Sequence, residues 1–115
     1  MLGIHWYVSV FDDGRSCDAV CAENNKLCSE EDLYIPTENE LLNICTDLGL
    51  NPKGASQGSW NIRPMYYKGR DCYGFGATSG LSCEAAQKTS DAKRICPCKG
   101  VYSLLKNKIF LLLSL

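Results

Sequence analysis

Cysteine placement constrains this chain more than any other feature. Eight cysteines stand in 115 residues, an even number in a short chain, and that reads as a disulfide framework formed in an oxidising compartment. Two doublets organise them. Cys17 and Cys21 are four apart, a spacing that puts both on one face of a helix. Cys96 and Cys98, in Arg94-Ile95-Cys96-Pro97-Cys98-Lys99, are two apart and share one face of an extended strand. Two sulfurs on a helix face can meet two on a strand face, so the doublets are expected to be stapled together. Which sulfur meets which is left open by this geometry, because eight cysteines allow 105 pairings.

The length supports one domain, and with 45% hydrophobic residues a core is within reach, although a chain of this size gains much from staples. A net charge of -1 gives no electrostatic footprint for nucleic acid or an anionic membrane. The N-terminal Met1-Leu2-Gly3-Ile4-His5-Trp6 is not a secretory signal. With so many cysteines, the expectation is a chain whose targeting segment lies upstream.

Local signals place the elements. Ile4, Trp6, Val8 and Val10 alternate with His5, Tyr7 and Ser9, the period of a half-buried strand. Asp12-Asp13-Gly14 is a turn signal. Ser16 is an N-cap, Asp18 sits favourably in the first turn, and Cys17, Val20 and Cys21 form the inward stripe of a helix ended by Asn24-Asn25. Residues 28–36 read as loop, with Leu33, Tyr34 and Ile35 touching the core. Thr37 and Glu40 form a capping box. Leu41, Ile44, Cys45 and Leu48 then follow at helical spacing, and Gly49 suits the C′ position. Residues 50–64 predict a long surface loop, Met65 to Tyr67 a short strand, and Cys83 to Gln87 one helical turn. Pro97 lacks an N–H and is expected on an edge or at a bulge. Ile109 to Leu113 is an apolar run too short to span a bilayer. Residues 1–102 form the cysteine-rich domain, and 103–115 are an apolar tail of doubtful origin.

Few patterns point to chemistry. Zinc sites favour C-x2-4-C pairs or histidines, whereas Cys96 and Cys98 are separated by one residue and His5 is the single histidine. No metal and no cofactor are therefore expected. One histidine near the N-terminus is a poor base for a cysteine nucleophile. Asp12-Asp13 and Glu30-Glu31-Asp32 read as solvated faces rather than the paired carboxylates of a glycosidase, and no phosphate-binding loop is present. Trp60, Tyr66, Tyr67 and Tyr73 are candidates for a sugar-stacking surface, set against the ordinary fate of aromatics, which is the core.

The cysteine order carries a resemblance. Gly14-Arg15-Ser16-Cys17, Val20-Cys21, Cys28, the capped helix bearing Cys45, Gly69-Arg70-Asp71-Cys72-Tyr73, Ser82-Cys83 and Lys93-Arg94-Ile95-Cys96-Pro97-Cys98-Lys99 resemble the C-terminal cysteine-rich module of the alpha-1,6-mannosylglycoprotein 6-beta-N-acetylglucosaminyltransferases of glycosyltransferase family 18. All eight cysteines match in order, across residues 6–100. The resemblance implies four nested bridges, Cys17–Cys96, Cys21–Cys98, Cys28–Cys83 and Cys45–Cys72. It implies a Golgi type II membrane protein that branches N-glycans without a metal. The nucleotide-sugar site and catalytic carboxylate of such enzymes lie in an upstream domain that nothing here matches, so no catalytic residue is carried over. The loop between Cys45 and Cys72, longer by Gly54 to Trp60, and the apolar tail depart from the family.

The expected fold is a small disulfide-rich α+β domain, with short helices around a small sheet that joins the two ends of the chain. The expected function is a structural module or fragment of such a Golgi transferase, with the upstream catalytic domain as partner. The alternatives are a secreted disulfide-rich module that binds glycans and a reduced cytosolic zinc protein.

Overall fold

The computed structural model describes residues 3–10, 14–58, 62–86 and 91–100. In chain order these form β1 (His5–Val8), α1 (Cys17–Glu23), β2 (Lys26–Cys28), a 3-10 turn (Glu30–Leu33), α2 (Glu38–Asp47), β3 (Ala55–Ser56), β4 (Met65–Tyr67), β5 (Cys72–Tyr73) and β6 (Ala92–Gly100). The fold is a small α+β domain with a six-stranded sheet in the order β1-β6-β4-β5-β3, and β2 also pairs with β6. The strand that carries RICPC is thus its hub. The tail 103–115 and the Asp12-Asp13 part of the predicted turn lie outside the described residues.

The parity of β6 sorts the core. Arg94, Cys96 and Cys98 face one side, and Ile95 and Pro97 the other. On the first side Cys96 and Cys98 join Cys17, Val20, Cys21, Leu33 and Cys83, with Tyr7 packed against them. On the second side Ile95 joins Ile35, Leu41, Cys45, Tyr66 and Cys72, with Trp6 and Val8 against them. Helix α1 covers one face and α2 the other. Strand β1 is half-buried as predicted, but not by alternation, because Tyr7 packs on one core cluster and Trp6 and Val8 on the other.

The helix ends follow local chemistry. Ser16 Oγ accepts from the N–H of Ala19 at 3.1 Å, and Asn25 takes a positive φ of 58° just past α1. Thr37 Oγ1 accepts from the N–H of Glu40 at 3.2 Å, and Gly49 ends α2 at φ 79°. Each side-chain cap satisfies an N–H that lacks an intrahelical acceptor.

Five expectations are corrected. Pro97 is on the central strand, not an edge. Ser9 donates to the Arg94 carbonyl at 2.9 Å, so even-numbered residues of β6 point their backbone groups at β1 and odd ones point away. On that far side β4 pairs only with residues 92–94 and β2 only with 98–100. The missing N–H of Pro97 falls in the gap between them, while its carbonyl accepts from the Ser29 N–H at 2.9 Å. Val10 is 64% exposed and Ser9 buried. There the Ser9 hydroxyl accepts from the Arg94 N–H at 2.8 Å, replacing a backbone carbonyl in the ladder and releasing the chain from the sheet.

The segment 28–36 is not plain loop. It holds the end of β2 and the 3-10 turn, and it buries Leu33 and Ile35 while Tyr34 remains 44% exposed. The stretch 50–64 carries β3, parallel to β5, and buries Ile62 and Pro64. Finally, residues 83–86 form no helical turn, and Gln87 lies outside the described residues. Their polar backbone groups are claimed from outside the segment. Cys83 N–H donates to Glu30 Oε1 at 3.1 Å, the Cys83 carbonyl accepts from Asp18 N–H at 3.0 Å, and the Ser82 and Ala85 carbonyls accept from the Arg94 guanidinium.

Candidate functional site

All eight cysteines are bonded: Cys17–Cys96, Cys21–Cys98, Cys28–Cys83 and Cys45–Cys72. The doublets do meet. The two outer bridges interleave rather than nest, because Cys21 follows Cys17 and Cys98 follows Cys96 along the chain, and the other two nest inside them. Two bridges fasten α1 to β6 on one face of the sheet. One fastens α2 to β5 on the other. The fourth ties the end of β2 to the segment 81–86. Six of the eight cysteines have no exposed surface at all. Cys83 keeps 5%, and Cys28 alone is half-buried.

A residue not singled out from the sequence is the most unusual group in the domain. Arg94 is 3% exposed. One guanidinium nitrogen donates to the Ala85 carbonyl and another to the Ser82 carbonyl, while its Nε has no hydrogen-bond partner among the described residues. Burial pushes the guanidinium down to about 10, with the Asp18 carboxylate opposing the shift. It therefore stays charged at neutral pH. Its signal in the sequence is parity: Arg94 shares a strand face with Cys96 and Cys98, and a strand face that carries a disulfide clasp points inward.

The space beside Arg94, lined by Ser9, Gly14, Arg15, Ile62 and Ala92, is about 10 Å³, the size of one water molecule. A shallow groove bordered by Val8, Val10, Arg15, Val20, Glu23 and Asn24 is larger, at about 140 Å³. Small-molecule sites usually run from roughly 300 Å³ upward, so neither space has the dimensions of a metabolite site.

Tyr66, Tyr67 and Tyr73 do not form one platform. Trp60 lies outside the described residues. Tyr66 is buried among Ile35, Leu41 and Ile95, and its hydroxyl accepts from Gly69 N–H at 3.4 Å. Its strand neighbour Tyr67 points to the opposite face. There Tyr67 and Tyr73, both half-buried, pack against Ile62, Met65 and Ala92, and the Arg70 guanidinium stands 5.6 Å from the Tyr67 ring centroid. Tyr67 and Tyr73 are brought together, whereas Tyr66 serves the core.

The Asp18 carboxylate and the Sγ atoms of Cys28 and Cys83 lie within 4.8 Å of one another. In the oxidised protein these sulfurs carry no thiolate, the form that binds a metal. Among the described residues, no helix is long and apolar enough to cross a membrane. No protein-family model matches the chain, and no curated protein matches it.

Proposed function

We propose that this chain is a structural module of an N-acetylglucosaminyltransferase that branches N-glycans, lodged in the Golgi lumen and bracing an upstream catalytic domain. The observation that carries the reading is the cysteine framework. Its order resembles that of the family 18 module, although the Cys45–Cys72 loop is longer, and its four pairs coincide with those the resemblance implies. A framework of four bridges suits an oxidising lumen. The only strongly perturbed ionisable group among the described residues, Arg94, is consumed by holding the 82–86 segment, which fits a bracing role better than a catalytic one.

Sequencing the transcript 5′ of the Met1 codon tests this. The expected result is an open frame running upstream into a glycosyltransferase catalytic region. An in-frame stop codon directly upstream, in a transcript that encodes only this chain, would overturn it.

A further inference from the structure

The four bridges are not equally accessible to an attacking thiol. Three pairs have both cysteines wholly buried. In the fourth, Cys28 is half-buried at the end of β2. Thiol–disulfide exchange requires a thiolate to reach a sulfur in line with the bond, and only this bridge offers one partly exposed partner.

The surroundings of Cys83 hold it in place without the bridge. Its N–H donates to Glu30 Oε1 at 3.1 Å, and its carbonyl accepts from Asp18 N–H at 3.0 Å. The flanking carbonyls of Ser82 and Ala85 are fixed on buried Arg94. Cys28 is fixed in turn by the β2–β6 register, opposite Cys98. Opening the bond therefore leaves both sulfurs facing each other. The third nearby ligand atom is the Asp18 carboxylate oxygen, within 4.8 Å of both sulfurs. Two thiolates in van der Waals contact stand at about 3.8 Å, the edge of a tetrahedron with zinc–sulfur bonds of about 2.3 Å. We propose that Cys28–Cys83 is a redox-gated bond, and that its opened thiols form with Asp18 a three-ligand site for a thiophilic divalent cation such as zinc.

The chemistry balances with a dithiol as reductant. One thiolate of the dithiol attacks Sγ of Cys28, the Cys28–Cys83 bond breaks, and Cys83 leaves as a thiolate that takes up a proton. The second dithiol sulfur then attacks the mixed disulfide and releases Cys28. The dithiol becomes a disulfide, and two electrons and two protons pass to the protein. Cation binding displaces the two thiol protons, and solvent fills the fourth tetrahedral position. The 55-residue separation of Cys28 and Cys83 puts this pair beyond the short spacings by which zinc sites are read from sequence.

Graded reduction of the oxidised full chain with a phosphine, trapping by N-ethylmaleimide and peptide mass mapping test the gate. Cys28 and Cys83 should be labelled at a reductant dose at least tenfold below that which labels the other six. A different pair opening first, or all pairs opening together, would overturn the gate. The selectively reduced protein, freed of phosphine, is then titrated with cobalt(II). One equivalent should give a thiolate-to-cobalt charge-transfer band, displaced by zinc, with affinity at least tenfold weaker in Asp18→Asn. A variant with Cys28→Ser and Cys83→Ser, still held by three bridges, should show no band. Absence of the band in the native chain, unchanged affinity in Asp18→Asn, or a band that survives in the serine variant would each overturn the site.

Discussion

The interleaved bridges between α1 and β6 should be non-additive. In the chain-entropy account a bridge stabilises by closing a loop in the unfolded chain. Cys28–Cys83 already closes the inner part of the loop, so the first bridge between α1 and β6 closes a ring that runs through that bond, about 25 residues in all, and is worth about 3.5 kcal/mol. Once one is closed, the other adds a small ring only. That ring runs from Cys17 to Cys21 and from Cys96 to Cys98, about 8 residues in all, and is worth about 2.5 kcal/mol.

Replacing one pair by alanine should thus cost about 2.5 kcal/mol of loop closure, and replacing both about 6 kcal/mol. The excess over the two single losses is about 1 kcal/mol. The space left by missing sulfur adds a further loss to each pair, but it enters both single variants and the double variant and largely cancels from that excess. The assay is urea unfolding without reductant, for the parent, C17A/C96A, C21A/C98A and the quadruple variant. Since a small domain has only 5–15 kcal/mol in total, the quadruple variant should be unfolded or nearly so, and added osmolyte brings it into range. Strict additivity of the two losses would refute the shared-loop reasoning and favour an enthalpic origin for the bridges.

Three further outcomes follow from single sites. Gly74 has φ 125°, and a Cβ there would stand 2.9 Å from Pro64 Cα and 3.0 Å from Arg63 Cβ, so Gly74→Ala should cost about 2–4 kcal/mol in urea unfolding. Ser16→Ala removes the cap of α1 and should lower stability by about 1 kcal/mol, read as a lower thermal midpoint. Burial lowers the folded pKa of Arg94 to about 10, below that of the unfolded chain. The unfolded chain therefore holds the extra proton between those values, and the burial cost, on the order of 3 kcal/mol, is constant below pH 9 and shrinks only above pH 10. Arg94→Lys leaves one of the Ser82 and Ala85 carbonyls without its donor and should cost about 1–3 kcal/mol at pH 7.

What was legible in the sequence was what local chemistry writes. The caps at Ser16 and Thr37 and the inward cysteines of both helices depend on spacings of three and four residues. The meeting of the doublets followed from the same spacings. What was not legible depends on partners far along the chain. Strands β2 and β3, of three and two residues, have no period of their own and exist because β6 and β5 offer free edges. Pro97 looked like an edge marker because its missing donor is visible in sequence, whereas the gap between β4 and β2 that tolerates it is not. The Cys83 stretch has the composition of a helical turn, but Arg94, Glu30 and Asp18 take its polar backbone groups. Of the aromatics, Tyr66 and Tyr67 are adjacent in a strand, so both could not have served one surface.

The two faces of the sheet are held by different physics. Under α2 the core is largely hydrocarbon, with Ile35, Leu41, Tyr66 and Ile95 packed around one bridge, and α2 has ten residues with an apolar stripe. Under α1, five of the seven buried residues are bonded cysteines. Helix α1 has seven residues, too few to be helical alone, and the apolar side chain it adds beside its two sulfurs is Val20. Packing can account for the position of α2, but α1 has little to offer except its bridges. The bridges are therefore the core of that face rather than clamps around it. The buried charge of Arg94 lies on that same face and draws the 82–86 segment over the sulfurs through backbone carbonyls. The clasp at Cys96 and Cys98 thus organises the α1 half of the domain outright, while the α2 half has enough hydrocarbon to pack on the sheet by itself.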